Sequence, residues 1–415
     1  MKKVVKKIAK YFCFIMIGLS LGYFIFNKPE NKLEEINEPK IKKNINTLSM
    51  MLETEAGSGN YEMTTASSWP TDGYVFNATL SKCENGGELS WDDTNKRVLM
   101  SGNVSDKCYV YFDVIQVLLA DYVKSLYTGT QGENGIYYHD AILTNGAGDN
   151  SYRYSGADPN NYVCFGTNTT PCPTDNLYRM IGVFGDQVKL VKYDYANSNL
   201  LGTNGDYSGT GTYLKSNYST YKGSLTTINR YYWNDSTSTN TWSESLLNKT
   251  NLNTNFITNI GTEWANKIAT TTWKVGGNTY NNIANVEPSV SYKNEIVNPT
   301  PGSTSTTGET EYKAKIGLMY VSDYGFAASQ DHWGRYLMDT YAAAMDNNWM
   351  YMGLYELTIS RTADTSDCAF RVVSRGNVDE GRVTINYAVR PSFSLESSVT
   401  YVSGDGSQSS PLRLS

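Results

Sequence analysis

Between Asn347 and Leu395 the chain runs NNWMYMGLYELTISR, then CAFRVVSRGNV, then NYAVRPSFSL. A tryptophan-led segment, a short apolar strand with its turn and a final Val-Arg-Pro strand follow one another with little spacer, which predicts one folded core that closes at its C-terminal end. The arginine inside the last strand adds a second constraint. An unpaired buried charge costs several kcal/mol, so Arg390 needs an acidic partner, and Glu356 of the tryptophan-led segment is the expected one. A ligand-contacting role for Arg390 is the alternative.

The N-terminus bears on the compartment. Five lysines (Lys2, Lys3, Lys6, Lys7 and Lys10) precede the uncharged run Tyr11–Phe26, and Lys28 follows it. A Lys-rich flank stays cytoplasmic, so the body of the chain is expected outside the cell. The run is shorter than the ~20 residues that span a bilayer comfortably and longer than a usual signal-peptide core. Cleavage after Ser20 and Gly22 would leave Tyr23–Phe26 exposed to water, so an uncleaved single-pass anchor is favoured over a removed signal peptide and a secreted product. Cys13 stands at the start of the run, which disfavours a lipoprotein.

The remaining cysteines fit export. Cys83 and Cys108 lie in one segment, Cys164 and Cys172 in another, and Cys368 is left over. Two local pairs predict two disulfides in an oxidising exterior. His139 and His332, far apart, are the only histidines, so no metal site is expected. Asp140, Asp149 and Asp158 are hard oxygen donors but lack the alternation of a calcium loop. The net charge of −6 is spread along the chain with no basic stripe, which argues against nucleic acid as a partner.

Five regions follow from the pattern. Residues 1–27 read as the membrane anchor and 28–57 as a flexible linker, mixed in charge and ending in Gly and Ser. Residues 58–115 read as a small β domain, with strands at Tyr74–Leu80, Glu88–Trp91, Arg97–Ser101 and Tyr109–Asp113 and a hairpin at Asp92–Asn95. Its aromatic residues Trp69, Trp91, Tyr109 and Phe112 are expected in its core, with a sugar-stacking platform as the alternative. Residues 116–160 read as a connecting helix over Gln116–Leu126 followed by irregular chain. In 161–415, strands are expected at Tyr178–Phe184 and Gln187–Lys192 around a Gly185-Asp186 turn, and a helical face at Leu252, Phe256, Ile260, Trp264 and Ile268 broken at Gly261. A buried strand is expected over Lys315–Ser322, a helix capped by Ser329, and a surface loop over Asn298–Thr310.

The succession YRMIGVFGDQVKLVK, TWSESLLN, AKIGLMYVSDYGFA, NNWMYMGLYELTISR, AFRVVSRGNV and YAVRPSFSL resembles an uncharacterised domain of surface proteins from Firmicutes and related gut bacteria. The likeness covers roughly residues 140–415. Broader relatives of that domain are similar to the C-type-lectin-like fold shared with formylglycine-generating enzymes. YVFNATLSKCENGGELSWDD with SDKCYVYFD resembles a small β module attached to other such surface proteins. The implied fold class is α+β: a C-type-lectin-like C-terminal domain, a small all-β disulfide-stapled domain and an N-terminal transmembrane helix. The sequence departs from the broader relatives at Trp349, which has no second tryptophan beside it, and at Ile359-Ser360-Arg361, which stands where they carry Leu-Arg-Ser.

Chemistry is not legible. No nucleophile elbow, zinc-helix motif or phosphate loop occurs. The cysteine pair of formylglycine-generating enzymes is missing, since only Cys368 lies in the corresponding region. No cofactor is implied. Trp233-Asn234-Asp235 coincides with a calcium-lectin tripeptide without its upstream partner motif. The expected function is therefore display of a ligand-binding, adhesin-like domain, with a surface glycan as the expected ligand; an exported enzyme of unknown chemistry or a structural stalk are the alternatives. Tyr207–Asn240 and Trp349–Tyr355 are rich in aromatic residues, and Tyr231, Tyr232 and Trp233 are the expected sugar-stacking residues.

Overall fold

The computed structural model describes residues 48–70, 73–102, 106–213, 226–299, 308–339 and 347–415. The expected anchor and most of the expected linker lie outside them, as do residues 300–307 of the expected Asn298–Thr310 loop. Among the described residues no helix is long and apolar enough to cross a membrane. The fold is mixed α+β with two disulfides, and the chain divides into two compact units at Gln116 and Val117.

In the smaller unit, Cys108–Val114 is the hub of a five-stranded sheet. It pairs in parallel with Leu48–Glu53 and antiparallel with Tyr74–Phe76 and Lys82–Cys83, while Tyr61–Thr64 flanks Leu48–Glu53. The strand Leu48–Glu53 corrects the linker boundary drawn above. Its apolar residues found a partner in a strand some sixty residues later, so the polar chain before it concealed a core element: Met50 is buried beside Val98, Val110 and Phe112. Trp69, Phe76 and Trp91 surround the Phe112 ring at 5.5–5.9 Å, a packing role. The hairpin Glu88–Asp92 with Arg97–Ser101 forms where its turn residues indicated.

The larger unit is built on a seven-stranded antiparallel sheet. Leu177–Phe184 lies between Gln187–Lys192 and Ser151–Tyr154 and also pairs with Tyr162–Cys164; Ile136–His139 closes one edge, and Pro391–Ser394 then Gly317–Leu318 the other. Both faces of Leu177–Lys192 are covered, which is why these strands read as near-continuous apolar runs. Gly182 sits where the register slips. A Cβ there would come within 2.3 Å of the Tyr152 carbonyl oxygen, so only glycine lets the two strands approach. Gly185 takes φ +66° in the turn between the strands. A second sheet orders Gly277–Asn278, Glu356–Thr362, Cys368–Val372 and Val378–Arg382. Val117–Leu118, Thr400–Ser403 and Arg413–Leu414 form a third, which joins the two ends of this unit.

Three expectations are revised and a fourth is refined. Residues 117–160 are not a connector: helix Leu119–Ser125 buries Leu119, Ala120 and Val123 in the main core, and two strands of the main sheet follow. Strand structure in Lys315–Ser322 is confined to Gly317–Leu318, because Asp323 caps a helix over Val321–Phe326 by accepting the Tyr320 N–H at 3.0 Å. Ser329 caps nothing with its side chain; a single 3-10 turn, Gln330–His332, follows it. The Leu252–Ile268 face begins in wide π-helical turns over Leu247–Phe256 and is interrupted at Gly261, whose φ is +82°.

Candidate functional site

Two of the three expected stacking residues are not on a surface. Tyr207–Tyr213 and Thr226–Tyr231 are paired strands, and Tyr231 and Trp233 are fully buried in the main core. Trp233 Nε1–H donates to the Thr358 carbonyl at 3.0 Å, its ring lies 4.9 Å from Trp242, and Tyr231 O–H donates to the Gly202 carbonyl at 3.0 Å. Large rings gain more from leaving water than a polar loop gains from displaying them, so the ligand-binding assignment of Tyr231 and Trp233 is withdrawn. Tyr232 between them is half-buried. Trp233→Ala is accordingly expected to destabilise the larger unit by about 3–5 kcal/mol; an unchanged melting temperature would contradict this placement. Trp349 is likewise core, donating from Nε1 to the Tyr154 carbonyl at 2.9 Å.

The sequence-based metal ligands are occupied otherwise. Asp140 accepts the backbone N–H groups of Ile142 and Leu143, Asp149 pairs with Arg153, and Asp158 pairs with Arg179. Among the described residues one group of three metal-capable side chains lies close together: Cys83, Asp106 and Cys108. Its sulfurs are joined in the disulfide and its carboxylate accepts the N–H groups of Asn85, Gly87 and Lys107. Asn234 turns inward, donating to the Thr237 hydroxyl and the Thr239 carbonyl, so the Trp-Asn-Asp tripeptide is structural.

Arg390 and Glu356 meet: Nε–H donates to Oε1 at 2.7 Å with both side chains almost wholly excluded from solvent, and Nη2 donates to the Met350 carbonyl at 2.6 Å. Burial opposes the guanidinium charge, but Glu356 together with Tyr195 and Asp194 turns the net shift of the Arg390 pKa upward. This is a structural pair in the heart of the unit.

Two hollows open on the larger unit. The bigger, about 410 Å³, is walled by turns around Asn134, Pro159 and Asn160 and by Asp158, which already serves Arg179. The smaller, about 230 Å³, concentrates the chemistry. Its floor is a charge network: Lys189 Nζ lies 2.5 Å from Asp323 Oδ2, Arg153 Nη1 lies 3.7 Å from Asp323 Oδ1, and Arg153 Nη2 donates to Asp149 at 2.7 Å. Three different elements supply Arg153, Lys189 and Asp323: the strands Ser151–Tyr154 and Gln187–Lys192 of the main sheet, and the helix Val321–Phe326.

The surroundings set the protonation. Burial pulls the Lys189 ammonium down while Asp323 opposes it, with a net downward shift. Burial raises the Asp149 carboxyl, but the Arg153 charge and hydrogen bonds from Ser151, Tyr292 and Arg153 hold it well below the usual carboxylate range. Glu295 receives the N–H groups of Val321 and Ser322, at 3.1 and 2.9 Å, and the Ser360 hydroxyl, yet burial still pushes it up. His139, packed on Phe326 and Trp333, is driven down by burial and by Arg153, and its Nδ1 accepts the Ala147 N–H.

Aromatic rings line the walls. The Lys189 ammonium lies 4.5 Å from the Tyr320 ring centre and 5.4 Å from that of Trp273, and the Arg153 guanidinium lies 4.6 Å from Phe184 and 5.1 Å from Tyr292. Gln187, Thr271, Thr272 and Ser394 ring the mouth with amide and hydroxyl groups. None of these residues stood out in the sequence. The overlooked signal was Lys189 itself, a charge in the buried run QVKLVK, open to the same argument that singled out Arg390. Comparison with family models, with curated proteins and with solved structures gives no match, so the geometry of this cleft is what any functional reading must rest on.

Proposed function

We propose that this chain is a bacterial surface protein, held to the cell membrane through Tyr11–Phe26 with its body outside, whose larger unit is a C-type-lectin-like domain that binds a glycan end in the 230 Å³ cleft. The cleft carries the reading. A sugar ring has apolar C–H faces and a rim of hydroxyls, and the site offers the matching pair: Phe184, Tyr292 and Tyr320 on its walls, with Gln187, Thr271, Thr272 and Ser394 at its mouth. Its volume, below the ~300–1,000 Å³ of drug-sized pockets, suits one terminal residue rather than a chain. Because the floor charges are compensated, a neutral sugar enters without stranding a charge. The lectin-like assignment is supported by the sheet that brings Val117–Leu118 beside Thr400–Ser403.

The test is a glycan array probed with the oxidised chain from Asn44 onward. Binding to a defined terminal sugar is expected, weakened by roughly tenfold, about 1.4 kcal/mol, in Gln187→Ala and Thr272→Ala, both rim positions outside the core. Silence on the array overturns the glycan reading. Binding unchanged in both variants moves the site elsewhere, and turnover of a bound polysaccharide makes the protein a catalyst instead.

A further inference from the structure

The contact at the floor of the cleft has the components of a condensation. A primary amine and a carboxyl group lie 2.5 Å apart, their side chains 9% and 4% exposed, on segments 134 residues apart in sequence. Trp273, Tyr320 and Phe184 surround the amine and thin the water around it. The two carboxylate oxygens have different neighbours: Lys189 and the Tyr320 N–H at Oδ2, and the Arg153 guanidinium at Oδ1. A further buried carboxyl, Glu295, accepts the N–H groups of the two residues before Asp323 and so helps hold the start of that helix in place.

We propose that Lys189 and Asp323 join in an intramolecular amide that ties the central strand Gln187–Lys192 to the helix Val321–Phe326. The step balances without a co-reactant. The Nζ–Cγ bond forms and the Cγ–Oδ2 bond breaks; two of the three ammonium protons pass to Oδ2, which leaves as water, and one stays on the amide nitrogen. No atom is oxidised or reduced. The 2.5 Å contact lets Nζ hand those protons to Oδ2 directly. Arg153 Nη1 lies 3.7 Å from Oδ1, so its charge faces the oxygen on which negative charge gathers in the tetrahedral intermediate, without a hydrogen bond to it.

Amide formation from free acid and amine is unfavourable in water, but fixed neighbours react with effective molarities of ~10⁵–10⁸ M. The fold supplies that proximity, and the open cleft lets the released water escape. Arg153 is also paired with Asp149, so loss of the Asp323 charge leaves the guanidinium a partner. The bond is independent of glycan binding, since it uses the floor of the cleft and not its rim.

Mass spectrometry of the full chain, reduced, alkylated and digested with trypsin, tests it. The expected product is a branched peptide joining Lys189 to Asp323 and one water lighter than its two arms, with cleavage after Lys189 blocked. Lys189→Arg, which keeps the charge, should give only separate arms. Two separate arms from folded wild-type chain overturn the proposal, as does a water loss confined to Asp323 alone, which would be a succinimide.

Discussion

Arg390→Met is expected to destabilise the larger unit by roughly 3–5 kcal/mol, the usual consequence of removing one partner from a buried ion pair. Glu356 is 2% exposed and its Oε1 receives the Arg390 Nε–H. Methionine fills the space but returns no positive charge, so the carboxylate must either stay ionised without compensation or take up a proton. The Met350 carbonyl also loses its donor, in the same tryptophan-led segment that carries Trp349. Replacing both partners, with Arg390→Met and Glu356→Leu together, should recover most of the loss, because an apolar pair carries no desolvation cost. Chemical denaturation of the single and double variants measures the coupling. A single variant as stable as wild type would show that the pair contributes nothing, and a double variant no better than the single would place the cost in packing rather than charge.

Cys83→Ser with Cys108→Ser is expected to unfold the smaller unit selectively. The disulfide closes a 25-residue separation and lies in direct register, Cys83 opposite Cys108. Removing such a bond from a small domain costs ~2–5 kcal/mol. Among the described residues the buried apolar cluster here is Met50, Val98, Val110 and Phe112, with partly buried rings around it, and a core of that size has little margin. Hydrogen exchange should show lost protection across Leu48–Val114 with protection of Leu177–Lys192 retained. Full protection in the smaller unit would mean that the Asp106 hydrogen bonds to Asn85, Gly87 and Lys107 hold it without the bond.

What was legible in the sequence was set by near neighbours. The strands on either side of Gly185-Asp186, the hairpin at Asp92–Asn95, the break at Gly261 and the two short-range cysteine pairs all depend on residues within a few turns or one loop of each other, and the structure has them. Arg390 was a long-range inference that worked because a buried charge demands a counter-charge wherever it comes from, and Glu356 was the acid in the adjacent apolar segment. The same demand applied to Lys189, but its partner lies 134 residues away on a helix whose first two residues the sequence presented as the end of a strand, so nothing local pointed to it.

Tertiary packing decided the rest. Leu48–Glu53 became a strand because Cys108–Val114 offered it a free edge, and Tyr231 and Trp233 went into the core because Trp242 and the Thr358 carbonyl were there to receive them. The cleft draws residues from Arg153 to Ser394, and no window of sequence contains it. Periodicity, turn chemistry and loop closure are local free-energy terms that a sequence carries in plain order. Burial, charge compensation and concavity arise only when distant surfaces meet, and their signs are unknown until the packing is known.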